Sequence, residues 1–311
     1  MPSTIPRCAL RHDKTGLVWY GPMQETSQTA AAVAVKSGGD EALAPLRGQP
    51  VAFWRQEDGQ ATQQAQERAI AAEVPVALVF NGISHAVMMA TPQDLAAFAV
   101  GFALSEGIVE RPEDCRDLEV FTHGEGTSDA SCAVHMEIAP RQFARLKEHR
   151  RALAGRTGCG VCGIDSLQAL DLHPEPVTAP AWRDGLNVAT LARAFDALQP
   201  LQVLNAQAGS LHAAGWSTPQ GELTDVLEDV GRHNALDKLL GRLALAGRLG
   251  EPGFVVMTSR TSYELVRKCA RMGVPVLATI SAPTGLALQL AQEAGMHLWG
   301  LCRPPTAVRY V

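Results

Sequence analysis

Residues 254–283 read FVVMTSRTSYELVRKCARMGVPVLATISAP. Residues 254–258 are a mostly apolar segment that predicts a buried strand, and 274–280 predict the next. Between them, 262–272 predicts a helix, with Ser262 suited to its N-cap. Strand, helix and strand in that order predict a right-handed crossover onto a parallel neighbour. The pattern continues in both directions. Downstream, 284–294 predicts a helix and 296–301 a strand. Upstream, 188–198 and 234–245 predict helices, and 211–217 with 222–228 predict a hairpin around Pro219-Gln220-Gly221. Residues 181–311 therefore read as an α/β domain with a mostly parallel sheet, to which the hairpin adds one antiparallel edge strand. Ligands of such sheets bind outside the carboxyl ends of the strands. That rule selects 229–233, 259–260, 281–284 and 302–303 as one crevice.

The rest of the chain divides by composition. Residues 66–154 read as a smaller α+β domain. In it, 76–80 and 85–89 are strands around an Asn81-Gly82 turn, and 118–122 and 133–138 are two more. Thr91-Pro92-Gln93-Asp94 opens a helix that runs to Glu106: Thr91 suits the N-cap, Pro92 the first position, and Asp94 the capping-box acid. Residues 141–154 predict an amphipathic helix. Residues 155–180 read as a loop and linker, holding GRTGCGVCG (155–163) and HPEPVTAP (173–180). Residues 1–65 read as a flexible segment, rich in Ala, Gln, Gly and Ser between 21 and 66.

The chain has 311 residues and a net charge of -5, with no basic stripe, which argues against a nucleic-acid partner. No apolar run is long enough to cross a bilayer. Residues 1–13, MPSTIPRCALRHD, hold no signal-type apolar core, so a cytoplasmic protein is expected. Seven cysteines in this length do not make a disulfide scaffold. Closely spaced ones point to redox, metal or sulfur chemistry.

Cys159 and Cys162 are such a pair. Glycines at 158, 160 and 163 leave both sulfurs unscreened, and Arg156 favours a thiolate. The residues alone allow a sulfur-carrying or redox pair, half of a zinc site, or a chance spacing. His135-Met136-Glu137 upstream resembles the H-x-E of zinc deaminases. Its alternation with Val134 and Ile138, however, is that of a strand face, whereas deaminases place H-x-E at a helix start. Cys8, Cys115, Cys132, Cys269 and Cys302 read as small packing residues.

The strand ends carry the other candidates. In 228–238, EDVGRHNALDK, Asp229 ends a strand, and Arg232 and His233 enter a helix whose free N–H groups attract anions. Arg232 offers bidentate contacts and Asp229 an acceptor; ordinary capping accounts equally for the pattern. Ser259 and Arg260 repeat the arrangement one strand later, and Ser281 to Thr284 repeat it again. His212 either faces the same crevice or is a satisfied core histidine.

Together these segments resemble the FdhD/NarQ family of formate dehydrogenase accessory sulfurtransferases. The resemblance runs from Glu73 to Arg303 and rests on NGISHAVMMATPQDL, GFALSEGI, GCGVCG, GSLHAAG, EDVGRHNALDKLLG, SRTSYELVRKCARMGVPVLATISAPT and WGLCR. It implies a cytidine-deaminase-like C-terminal fold without the deaminase metal ligands. It also implies a sulfur carrier. A cysteine desulfurase loads Cys159 as a persulfide, with Cys162 as its partner. The sulfur passes to the molybdenum (or tungsten) bis-guanine-dinucleotide cofactor, bound as substrate, for formate dehydrogenase. The alternative is a chaperone of that cofactor without sulfur transfer. The family's cofactor segment matches Leu301, Cys302, Arg303, Pro304, Pro305 and Thr306; here the prolines and threonine replace the usual glycines and second arginine. No resident metal and a homodimer are expected.

Overall fold

The computed structural model describes residues 11–12, 18–19, 34–39, 42–124, 126–152 and 172–311. Arg11–His12 (β1) and Val18–Trp19 (β2) pair with each other. Ala34–Gly39 (β3) joins a five-stranded sheet.

Composition places residues 46–65 in a flexible segment. The structure builds them into a hairpin instead, from Leu46–Glu57 (β4) and Gln60–Ala71 (β5), paired over their whole length. At its tip Asp58 and Gly59 have φ of 51° and 80°, the two positive values a tight hairpin turn requires.

The remaining strands of the N-terminal sheet are Val74–Phe80 (β6), Ile83–Ala90 (β7), Cys115–His123 (β8) and Ser131–Ile138 (β9). Their order is β3-β8-β9-β6-β7. Leu95–Ser105 (α1) follows β7, and Pro140–Ala152 (α2) follows β9. The four strands expected between 76 and 138 are present. Val76, Leu78, Phe80, Leu118, Val134 and Met136 pack one sheet face against Phe98 and neighbouring α1 residues.

The C-terminal domain contains Val188–Leu201 (α3), Asn205–Ala208 (α4), His212–Ser217 (β10), Leu223–Asp229 (β11), Arg232–Leu245 (α5), Phe254–Met257 (β12), Tyr263–Arg271 (α6), Val276–Thr279 (β13), Gly285–Ala294 (α7), His297–Arg303 (β14) and Thr306–Arg309 (β15). The sheet order is β11-β10-β12-β13-β14-β15. β12, β13 and β14 are parallel neighbours, as expected. The hairpin differs from expectation: its antiparallel strand, β10, lies inside the sheet, because it pairs with both β11 and β12. β15 adds a further antiparallel strand at the other edge. α3 covers one face, packing on Phe254, Val256 and Val276; α5, α6 and α7 cover the other. Among the described residues no helix is long and apolar enough to cross a membrane.

α1 is buried on every side because it lies between the N-terminal sheet and α5. Gly101 and Gly241 meet at that crossing. A Cβ on Gly101 would overlap the carbonyl of Asp237, and one on Gly241 that of Ala97. The start of α1 also differs from the predicted cap. The helix begins at Leu95, and neither Thr91 nor Asp94 caps it with a side chain. Thr91 donates its N–H to Asp229 Oδ2 (3.0 Å) and accepts Val230 N–H on Oγ1 (3.3 Å). Asp94 pairs with Arg242 at 2.6 Å. Partners from the other domain have taken both capping groups.

A buried charge cluster closes the same junction. Lys268 Nζ donates to Asp237 Oδ2 (2.9 Å) and Ser105 Oγ (2.9 Å), and pairs with Glu106 Oε1 (2.7 Å). Glu106 also pairs with Arg267 at 2.6 Å. Burial pushes the Glu106 carboxyl up, but Lys268 and then Arg267 outweigh it and hold its pKa at about 2. A depressed carboxylate stabilises the fold above its unfolded pKa and loses that contribution as pH falls through its folded one. The stabilisation from Glu106 is thus whole near neutrality and eroded between the ordinary glutamate range and pH 2. The wild-type advantage over Glu106→Gln in urea unfolding should shrink by about 2 kcal/mol between pH 5 and pH 3. An unchanged advantage would show that Glu106 does not titrate with the fold.

Candidate functional site

The strand ends meet at one rim. Ala213 N–H donates to Thr258 Oγ1 (2.9 Å), which ties β10 to the loop after β12. Thr284 N–H donates to Thr261 O (3.0 Å), and Leu301 N–H to Ser281 O (3.3 Å). Arg303 Nε donates to Ile280 O at 3.2 Å. The loops after β12, β13 and β14 are thus bound side by side. His233, in the first turn of α5, reaches the start of α6: its Nε2 lies 2.9 Å from Glu264 Oε2 and 3.4 Å from Ser262 Oγ.

The candidate residues separate into those facing this rim and those turned inward. Arg260 is exposed and Arg232 half-exposed. His212 lies opposite Asp229 in the β10–β11 ladder and is half-buried. Burial, then Arg232, hold its imidazole below the usual histidine pKa against the pull of Asp229. Leu301 is exposed with φ of 51°, a conformation costly for a leucine. Pro304 and Pro305 make the β14–β15 turn, which the Thr306 hydroxyl staples by donating to Arg303 O at 3.0 Å.

Ser259 is buried, and its hydroxyl donates to Arg260 O rather than outward. Cys302 packs in the core beside Trp299, where burial pushes its thiol up to about 12. Its segment therefore offers a ligand backbone and Arg303, not a thiolate. Asp229 is the clearest departure from the sequence reading. Its side chain and that of Lys238 are both 0% exposed, 2.7 Å apart. Its oxygens also accept Thr91 N–H (3.0 Å), Gly231 N–H (2.8 Å) and Asn234 Nδ2 (2.9 Å). No lone pair is left for a base or sugar. Cys159 and Cys162 lie outside the described residues.

Most other arginines of this domain are tightly held. Arg183, Arg193, Arg242, Arg248, Arg267 and Arg271 each hydrogen-bond or ion-pair with a carbonyl or carboxylate at 3.0 Å or less, whereas Arg309, exposed on β15, has no such partner among the described residues. Among the described residues Arg232 has only Glu264, at 3.8 Å. Among the described residues Arg260 has no such partner, and Arg303 only a backbone carbonyl. Arg232 and His233 also occupy the positive end of the α5 dipole, where no acidic residue sits in the first turn. Weakly paired guanidiniums and a free helix N-terminus along one rim are suited to an anion.

Sequence reasoning assigned no role to Glu264 or Lys238. Lys238 had a visible signal, being a lysine among Leu236, Leu239 and Leu240 on a buried helix face, where a charge needs a partner.

These features define an α/β protein with two main sheets and an arginine-bearing rim at the strand ends of the C-terminal one. The FdhD/NarQ family model matches residues 71–311, and the chain belongs to that family. It is 52% identical over 256 residues to a sulfur carrier protein FdhD of Burkholderia mallei, covering 82% of this chain and 93% of that one. With the sulfur carrier protein FdhD of Chromobacterium violaceum it shares 55% over 244 residues, 78% of this chain and 87% of the relative. A crystal structure of a putative formate dehydrogenase accessory protein from Desulfotalea psychrophila superposes with a TM-score of 0.59. It covers 85% of this chain and 96% of that one at 24% identity, so it bears on the fold alone.

Proposed function

We propose that the protein is a sulfur carrier for formate dehydrogenase, moving persulfide sulfur from a cysteine desulfurase to the molybdenum (or tungsten) bis-guanine-dinucleotide cofactor. The names of the relatives support the carrier role. The observation that carries the choice of cargo is the rim of weakly paired arginines, Arg232, Arg260 and Arg303, which suits the phosphates of a dinucleotide. In this reading the C-terminal sheet is a cytidine-deaminase-like scaffold turned to binding.

The sulfur steps follow from thiol chemistry. The Cys159 thiolate attacks the terminal sulfur of the donor persulfide; the donor S–S bond breaks, and the donor leaves as a thiolate. The Cys162 thiolate then attacks Cys159 Sγ, forming a disulfide and expelling the carried sulfur as hydrosulfide. The two thiols supply the two electrons that reduce it, and an external dithiol must reopen the disulfide before the next cycle.

The cargo assignment is tested by titrating GDP into the protein and into Arg260→Ala by calorimetry. Loss of one charge-assisted phosphate contact should cost about 1.5–3 kcal/mol, roughly tenfold or more in Kd. Equal affinities would place Arg260 in solvent.

A further inference from the structure

Glu264 occupies the position an anion would take. It sits in the first turn of α6, and its Oε2 gathers His233 Nε2 at 2.9 Å, the Ser262 hydroxyl at 3.2 Å and Arg232 at 3.8 Å. Ser262 is the N-cap of α6 yet makes no side-chain cap bond; its hydroxyl turns to this carboxylate instead. All the contacts fall on one oxygen, and Oε1 has no hydrogen bond among the described residues. The group is not sealed in: the Glu264 side chain is 18% exposed, His233 20% and Arg232 34%. Compare Asp229, which is fully buried with both oxygens taken. One acid is a permanent part of the fold; the other lies at the surface, attached by one oxygen to the groups an incoming phosphate seeks.

We propose that Glu264 is an internal anion that holds Arg232 and His233 in the ligand-free protein and competes with the phosphates of the ligand for them. The inference rests on the anion-binding reading of the same rim. Its physical basis is charge. A carboxylate beside the Arg232 guanidinium and the His233 imidazole lowers the local positive potential and repels a second anion. A diphosphate must displace it or bind against it, while a monovalent anion gains too little to do either. Glu264 thus sets a threshold that selects multiply charged ligands over small inorganic ones. Its ionised state is consistent with this: burial raises its pKa, but the hydrogen bond and charge of His233, then Ser262 and Arg232, bring the net value below the ordinary glutamate range.

The test is calorimetric titration of inorganic pyrophosphate and of chloride-competed phosphate into the full chain and Glu264→Gln. Glutamine keeps the shape and the acceptor for His233 and Ser262 but removes the charge. The variant should bind pyrophosphate about tenfold more tightly, ~1.4 kcal/mol. It should also bind phosphate measurably where the wild type discriminates against it. Glu264→Ala, checked for an unchanged melting temperature, should show the same direction. If the wild type binds pyrophosphate and neither variant gains affinity, the competition is overturned while the anion rim stands. If no protein binds GDP or pyrophosphate, the rim reading fails and this inference with it. If only the variants bind, Glu264 is the barrier proposed.

Discussion

Replacing Cys159 with alanine is expected to abolish sulfur loading and leave the client formate dehydrogenase assembled with cofactor but inactive. Incubated with a cysteine desulfurase and cysteine, the wild-type chain should gain about 32 Da per sulfur, the mass of one sulfane adduct. Cys159→Ala should gain none at this position. Client activity should fall by ~100-fold or more, as expected when a covalent nucleophile is removed. Cys162→Ala should behave differently. It lacks the thiolate that expels the carried sulfur, so it should load normally, retain the adduct longer, and still give a poorly active client. GDP affinity should be near normal in both variants, because the proposed nucleotide anchors are Arg232, Arg260 and Arg303 rather than the cysteines, and groups without shared partners act nearly independently. Arg260→Ala should show the converse: normal loading, weakened GDP binding. A cofactor chaperone without sulfur transfer predicts a substantially active client from the Cys159→Ala, Cys162→Ala double variant, and that result would sink the carrier reading.

How far residues alone led depended on the range of the interaction. β12 and β13 were legible because a parallel strand buried on both faces is dominated by apolar residues, and the glycines and prolines between them mark its ends. The β4–β5 hairpin was not. Its strands hold Gln, Ala, Arg and Glu where β-branched residues are usual, so composition suggested flexibility. The local signal was the Asp58-Gly59 pair, midway between segments of equal length. At the rim, the placement of Arg232, Arg260 and Arg303 in segments at the carboxyl ends of β11, β12 and β14 followed from the strand order. The role of Asp229 did not. An acid before a glycine at a strand end looks the same whether it receives a ligand or a buried lysine. What decides between them is Thr91, 138 residues away in sequence, and only the folded chain brings it there.

Asp229→Ala is therefore expected to damage stability first and ligand binding only as a consequence. The substitution leaves the Lys238 ammonium, 0% exposed, without its carboxylate. Its other contacts are the carbonyls of Thr91 (3.0 Å) and Glu228 (3.3 Å), which do not neutralise it. It also strips acceptors from Thr91 N–H, Gly231 N–H and Asn234, the last of which spans the domains by donating to Met89 O at 2.8 Å. Breaking a buried pair from one side costs roughly 3–5 kcal/mol, because an uncompensated charge remains inside. At that cost the melting temperature should fall by about 10 °C. Removing both charges should be milder: Asp229→Asn with Lys238→Met has no stranded ion, and asparagine keeps an acceptor for Gly231 N–H. The double variant should regain a large part of the loss, and its GDP affinity, measured where it is folded, should be close to that of the wild type. A ligand-binding Asp229 would give the opposite pattern: Asp229→Ala melting within a degree or so of the wild type, with GDP affinity lost in the single and double variants alike. The geometry favours the first pattern, since every acceptor direction of Asp229 already points at a donor that holds α5 against the end of β7.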